Sequence, residues 1–155
     1  MPRIRNTARA VIIRDGAILL QVARINDEVI HILPGGTQEF GEPLDATVRR
    51  EVLEETGWPV RVDGLLYICE FIERDHRPVN GDGEHALHSI FRCTPETDAP
   101  IAPPTIPDTD QIDIRWLPLA DLPAIALIPH IVHQHLIAWH NRGEPLTPTY
   151  LGSRA

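Results

Sequence analysis

The sequence predicts an α/β domain with a mixed sheet, and three observations carry that prediction. Strand-like apolar runs lie both before and after one central helical stretch. A second helical stretch closes the chain after Pro129. The 155 residues suffice for one domain with a sizeable core, and 43% hydrophobic with 23% charged residues is ordinary for a globular chain.

The elements follow in order. "ARAVIIRDGAILLQVAR" predicts a hairpin, because two β-rich runs flank the turn signal "RDG". "DEVIHILPGG" is a strand running into a Pro-Gly-Gly break, and "EPLDATVRREVLEETGW" then reads as a helix. Pro43 suits its first position and Gly57 the residue just past its end. Leu53 and Trp58 are placed for the apolar contact of a Schellman ending. "VRVDGLLYICEFIERD" supplies one or two strands, "HALHSIFRCT" another and "IDIRWLPL" the last. "TPETDAPIAPPTIPDTDQ" is too rich in proline for a central strand and is expected to be a surface loop. The second helix runs roughly to Asn141, with Ile128, Val132 and Leu136 on one i, i+4 stripe and Ile131 and Trp139 close to it. Residues 1–143 are expected to form the domain and 144–155 an extended tail.

Composition narrows the function. A net charge of −8 argues against a general nucleic-acid surface, which needs a basic face, but permits phosphorylated substrates if metal ions screen the repulsion. No apolar run is long enough to cross a bilayer, and the N-terminus has no signal-peptide pattern, so a cytoplasmic location with no membrane partner is expected. Cys69 and Cys93 lie in apolar strand runs and are expected to be buried, inert thiols. The histidines of the second helix (His130, His133, His135 and His140) read as a polar face rather than a metal site at His130 and His133, and His85 and His88 as ordinary strand positions rather than pocket lining.

One stretch stands out electrostatically. Glu51, Glu54 and Glu55 crowd the last turn and a half of the first helix, where the dipole disfavours acids. Spacings of three and four residues put all three carboxylates on one side. Two such charges a few ångströms apart repel by about 1 kcal/mol in water and several times that near a protein surface. Arg49 and Arg50 offset part of this cost. A hard dication offsets more, since such ions prefer carboxylate oxygen. Three helical glutamates are most often a solvated face. Here Val48 and Val52 anchor the neighbouring stripe, and the glycines of "LPGGTQEFGE" let backbone approach an ion or phosphate closely.

Gly36, five residues, Glu42, seven residues, then "REVLEETGW" resembles the Nudix box at every fixed position. Trp58 stands where the family usually has an aliphatic residue. The hairpin, the "LPGG" segment and "RWLPLADL" resemble the family more loosely. The resemblance implies a Nudix fold, an α/β/α sandwich, and hydrolysis of a nucleoside diphosphate linked to another group. It implies that Glu51, Glu54 and Glu55 carry Mg²⁺ (or Mn²⁺ in its place), with the Gly35 carbonyl as a further ligand. Among these acids Glu51 is the first candidate base. Arg50 is expected to orient the glutamates, and Glu39 and Glu42 to brace the loop. Arg24, His31 and Gly36 are candidate substrate contacts. Glu84, Glu96, Asp108 and Asp110 are candidates for an acid from outside the box. Nudix hydrolases are often dimers, so a homodimer is a further expectation.

The family's substrate sub-motifs do not name a substrate here. Arg74 stands where members acting on ADP-ribose often carry proline, and no tyrosine lies between Arg74 and Gly83. A nucleotide-sensing module that keeps the fold without hydrolysis is the alternative. The retention of all three glutamates favours the enzyme.

Overall fold

The computed structural model describes residues 3–73, 83–105, 110–143 and 147–153. Strands β1 (Ile4–Arg14) and β2 (Ala17–Ile25) form the expected hairpin. Asp15 and Gly16 both have positive φ (51° and 76°), which matches the right-handed twist of the two strands. Strand β3 (Glu28–Ile32) pairs antiparallel with β2, and β4 (Gly35–Thr37) crosses back to pair with β1. Helix α1 (Leu44–Thr56) follows, then β5 (Val60–Ile72) and β6 (His85–Pro95), paired antiparallel. Strand β7 (Gln111–Pro118) returns to β2. A 3₁₀ segment (Leu119–Ala124), β8 (Leu127–Ile128), helix α2 (His130–Arg142) and β9 (Thr149–Gly152) complete the chain.

The sheet runs β8-β3-β2-β1-β6-β5-β9, with β4 also on β1 and β7 also on β2. The β1–β6, β3–β8 and β5–β9 pairs are parallel, so the sheet is mixed as expected. β1 and β2 pair only near their turn, which lets the strands splay into two layers. "IDIRWLPL" is not the last strand: β8 and β9 follow it, too short to announce themselves by periodicity. β9 lies in the C-terminal tail and holds to the edge of β5.

Alternation along β1 assigns each helix its own core. Ala8, Ala10 and Ile12 face α1 and pack with Val48, Val52 and Trp58. Val11 faces the other way, toward Val132 and Leu136 of α2. Val48, Val52, Val132 and Leu136 are fully buried, each stabilising the fold by about 1.5–3 kcal/mol. Cys69 and Cys93 are buried free thiols, and burial pushes them up to about 11 and about 12. His133 departs from the expected polar face: it is buried, with Nε2 2.7 Å from the Leu122 carbonyl.

Both helices end on a left-handed glycine, Gly57 and Gly143. Pro43 sits one position earlier than expected, just outside α1 with extended ψ (151°), and its carbonyl receives Ala46 and Thr47. The α1 ending is the single-bond left-handed motif rather than the Schellman motif. Gly57 N–H donates to Leu53 O at 2.8 Å, while Trp58 N–H goes to Thr56 Oγ1. Leu53 is therefore 37% exposed, and Trp58 instead meets Trp116 edge-on at 5.6 Å. Arg14 lies over both indoles, 4.7 and 4.8 Å from their centroids.

Candidate active site

The acid-rich end of α1 is made tolerable by donors from a distant segment. Thr105 N–H reaches the Glu54 carbonyl at 2.9 Å, Gln111 Nε2 the Glu55 carbonyl at 3.4 Å, and Ile101 N–H the Gly57 carbonyl at 2.9 Å. These bonds satisfy backbone acceptors that a helix end leaves open. The described part of the Pro-rich loop therefore caps the helix that carries the glutamates.

Arg50 organises the carboxylates. Its Nε and Nη2 hold the two Glu42 oxygens at 2.8 and 3.0 Å, and Nη1 reaches Glu51 at 3.0 Å and Glu54 at 3.3 Å. Nη2 also donates to the Thr37 carbonyl, tying α1 to β4. The Arg50 fork, with help from Thr47 and the Glu39 N–H, lowers Glu42 to about 2. Glu42 is thus the expected brace. Glu39, expected only to brace, also lines the cleft.

Glu55 turns inward. Its Oε2 accepts the Gly35 N–H at 2.7 Å, and burial raises its carboxyl to about 7 against the opposing pull of Gly35, Gln21 and Arg9. Glu51, Glu54, Glu55, Gly35 and Gly36 line one cleft of about 420 Å³. A Cβ on Gly36 would fall 2.5 Å from the Glu51 carboxyl carbon, so the loop fits around that carboxylate only because position 36 has no side chain.

The donor set fits a hard dication: three carboxylates share a cleft with backbone oxygen. Among the described residues no three acidic, histidine or cysteine side chains already converge on a single point. Arg50 draws Glu51 and Glu54 to one side while Gly35 draws Glu55 to the other.

Several expected contacts lie elsewhere. Ile32 lines the cleft, so alternation sends the adjacent His31 to the opposite face, where it is buried and lowered by desolvation and by Arg115. Arg24 is exposed, and its neighbour Ile25, not Arg24, faces inward toward a cavity beside the cleft. The Gly35 carbonyl already accepts Arg9 Nη1 at 3.2 Å. Of the outside acids, Glu84 pairs with Arg5 and lines the neighbouring cavity. Glu96 and Asp110 line neither space, and Asp108 lies outside the described residues.

Sequence reasoning missed Arg5, Arg9 and Gln21, which line the cleft. His88, read first as an ordinary strand position, is buried with Nδ1 2.6 Å from Thr7 Oγ1 and lines the neighbouring cavity. The available signal was Arg9 itself, a permanent charge inside the apolar run of residues 8–13. Such a charge is retained when something needs it.

Comparison with known proteins decides the family. A family model for the NUDIX domain matches residues 4–139. The chain belongs to the Nudix family. A Nudix hydrolase from Nitrosomonas europaea superposes with TM-score 0.70 at 22% identity, covering 94% of this chain and 93% of that one. A MutT Nudix hydrolase from Burkholderia pseudomallei gives 0.69 at 26% identity, covering 87% and 98%. An ADP-ribose pyrophosphatase from Streptococcus suis gives 0.62 at 20% identity, covering 96% and 99%. A comparison with curated proteins returned no match. The Nudix fold, with helices on both sides of a mixed sheet, is the one expected, and the chain is a Nudix hydrolase. No helix among the described residues is long and apolar enough to cross a membrane.

Proposed function

We propose that this Nudix hydrolase is a Mg²⁺-dependent pyrophosphohydrolase that cleaves the diphosphate linkage of a nucleoside diphosphate joined to another moiety. The observation that carries the reading is the meeting of Glu51, Glu54 and Glu55 in one cleft with Arg5 and Arg9 on its wall. The acids suit a cation, and the guanidiniums suit the phosphates it would accompany. The similarity to an ADP-ribose pyrophosphatase supports this substrate class.

Glu51, Glu54 and Glu55 would hold Mg²⁺, with Mn²⁺ able to replace it. The Gly35 carbonyl is a weaker candidate ligand, because Arg9 already draws on it. Bound there, the ion would neutralise the diphosphate and acidify a water. The remaining work belongs to the chain. Arg50 aims Glu51 and Glu54 from one nitrogen, while its Glu42 pairing keeps it from swinging away. Glu51 is proposed as the carboxylate that takes the proton of the attacking water. Gly36 leaves the approach to Glu51 open. Arg5 and Arg9 attract the phosphoryl oxygens and limit the repulsion between an anionic substrate and an acidic cleft.

Purified protein with Mg²⁺, screened against nucleoside triphosphates, dinucleoside polyphosphates and nucleotide sugars, tests the proposal. Turnover that disappears in Glu55→Gln supports it. Tight binding without turnover across that panel would replace it with a sensing role.

A further inference from the structure

Strand β7 carries an irregularity that turns a side chain toward the glutamates. Trp116 lies opposite Leu19 of β2, Ile114 opposite Gln21 and Asp113 opposite Val22, but it is Gln111 that stands opposite Ala23. Ile112 is therefore an extra residue, a β-bulge, and it is 53% exposed. Ile114 and Trp116 pack toward α1, so unbroken alternation would send Ile112 to that side and Gln111 away from it. The bulge exchanges the two. Gln111 thereby joins Gln21, a lining residue of the glutamate cleft, on one face.

The exchange closes a ring of hydrogen bonds around Glu55. Gln21 Nε2 donates to Gln111 Oε1 at 3.2 Å, and Gln111 Nε2 donates to the Glu55 backbone carbonyl at 3.4 Å. The Gln21 amide also bonds the Glu55 carboxylate, whose Oε2 takes the Gly35 N–H at 2.7 Å. An amide nitrogen carries two N–H groups, one for each of these partners of Gln21. Gln21 is the only polar side chain in the buried run 18–23 of β2, and a polar group is retained at such a depth when its bonds are needed. Arg24 N–H holds the Asp110 carbonyl at 3.0 Å, which fixes the residue just before Gln111.

Resting on the hydrolase reading, we infer that Gln21 and Gln111 are positioning residues that hold Glu55 toward the cleft, by its carboxylate and by its backbone, and so set how tightly the carboxylates take a divalent cation. A long acidic side chain left free must be ordered when an ion arrives, and that ordering subtracts from affinity. Arg50 removes the cost for Glu51 and Glu54, and the glutamine pair removes it for Glu55.

The test is Mn²⁺ binding to the whole protein without substrate, read from the electron paramagnetic resonance of the free ion. Glu55→Gln should weaken Mn²⁺, and Gln21→Met, which keeps the length but loses both donors, should weaken it fivefold or more. Gln21 acts through Glu55, so Gln21→Met should add nothing in a Glu55→Gln background, whereas a general loosening of the fold weakens Mn²⁺ in both backgrounds alike. The wild type gives a second reading: by nuclear magnetic resonance, the side-chain amide signals of Gln21 should shift when Mg²⁺ is added. Mn²⁺ affinity within twofold of wild type in folded Gln21→Met, an equal loss in both backgrounds, or Gln21 signals indifferent to Mg²⁺ overturns the inference. The hydrolase reading survives each of these so long as Glu55→Gln loses Mn²⁺ affinity. Wild-type Mn²⁺ binding in Glu55→Gln contradicts the metal reading itself, and the inference falls with it.

Discussion

Substituting Gly36 by alanine separates the chemistry of the site from the stability of the fold. The new Cβ would lie 2.5 Å from Glu51 Cδ and Oε2 and 2.7 Å from Oε1, while ordinary contact begins near 3.4 Å. The Glu51 carboxylate must therefore withdraw by about 0.9 Å. A misplacement of about 1 Å at a catalytic group costs on the order of 100-fold, or about 2.7 kcal/mol of transition-state stabilisation. Stability should not follow. The atom displaced is the end of a flexible side chain, and replacing glycine at a compatible backbone position gains about 0.4–1 kcal/mol through the unfolded state. Gly35→Ala provides the contrast. Its φ is +134° and its Cβ would run into the Ala8 carbonyl and lie 2.6 Å from Arg9 Cα, so backbone must move and the fold should lose about 2 kcal/mol or more. The assay is kcat/KM on the active nucleotide beside urea unfolding in EDTA. Gly36→Ala should also be non-additive with Glu51→Gln, because both act through one carboxylate. Activity within threefold of wild type in Gly36→Ala, or a loss matched by lost stability, would refute the reasoning.

Other expectations follow from the same geometry. Glu51→Gln, Glu54→Gln and Glu55→Gln should each lower kcat/KM by about 100-fold or more, and EDTA should abolish turnover that Mg²⁺ or Mn²⁺ restores, measured as steady-state nucleotide hydrolysis. Glu42 sits at about 2 in the fold against an ordinary 4.5, so its contribution is complete above 4.5 and disappears as pH falls toward 2. Allowing for solvent screening, that is of order 1–2 kcal/mol, and urea midpoints between about pH 6 and about pH 3 should fall less steeply in Glu42→Gln. Cys69 and Cys93, buried and raised to about 11 and about 12, should resist iodoacetamide at about pH 8 in the native protein and react in denaturant, as mass spectrometry would show.

The parts of the fold legible in the sequence were those with strong local chemistry. The Asp15-Gly16 turn, the helix bounded by Pro43 and Gly57 and the burial of Val48 and Val52 each follow from residue type and spacing. Elements held by distant partners were not legible. β8 has two residues and exists because β3 offers it an edge, and the donors that cap α1 come from Ile101, Thr105 and Gln111. The site divides in the same way. The carboxylates share a helix face, so one spacing rule finds them. Arg9 and His88 come together only when β1 and β6 pair in parallel, with Thr7 opposite His88. The misplacement of His31 and Arg24 has a simple origin: each is adjacent in a strand to a residue that faces inward, and a shift of one residue reverses the face.

Arg14, caught between Trp58 and Trp116, has a practical consequence. It joins the start of the hairpin turn, the segment just beyond Gly57 and a strand of the other layer, so two of the three tryptophans report from one spot. The protein therefore carries its own optical gauge. Indole emission senses a nearby cation, and any shift of the glutamate-bearing helix against that strand when the cleft is filled would change the colour or intensity of the light without an added dye.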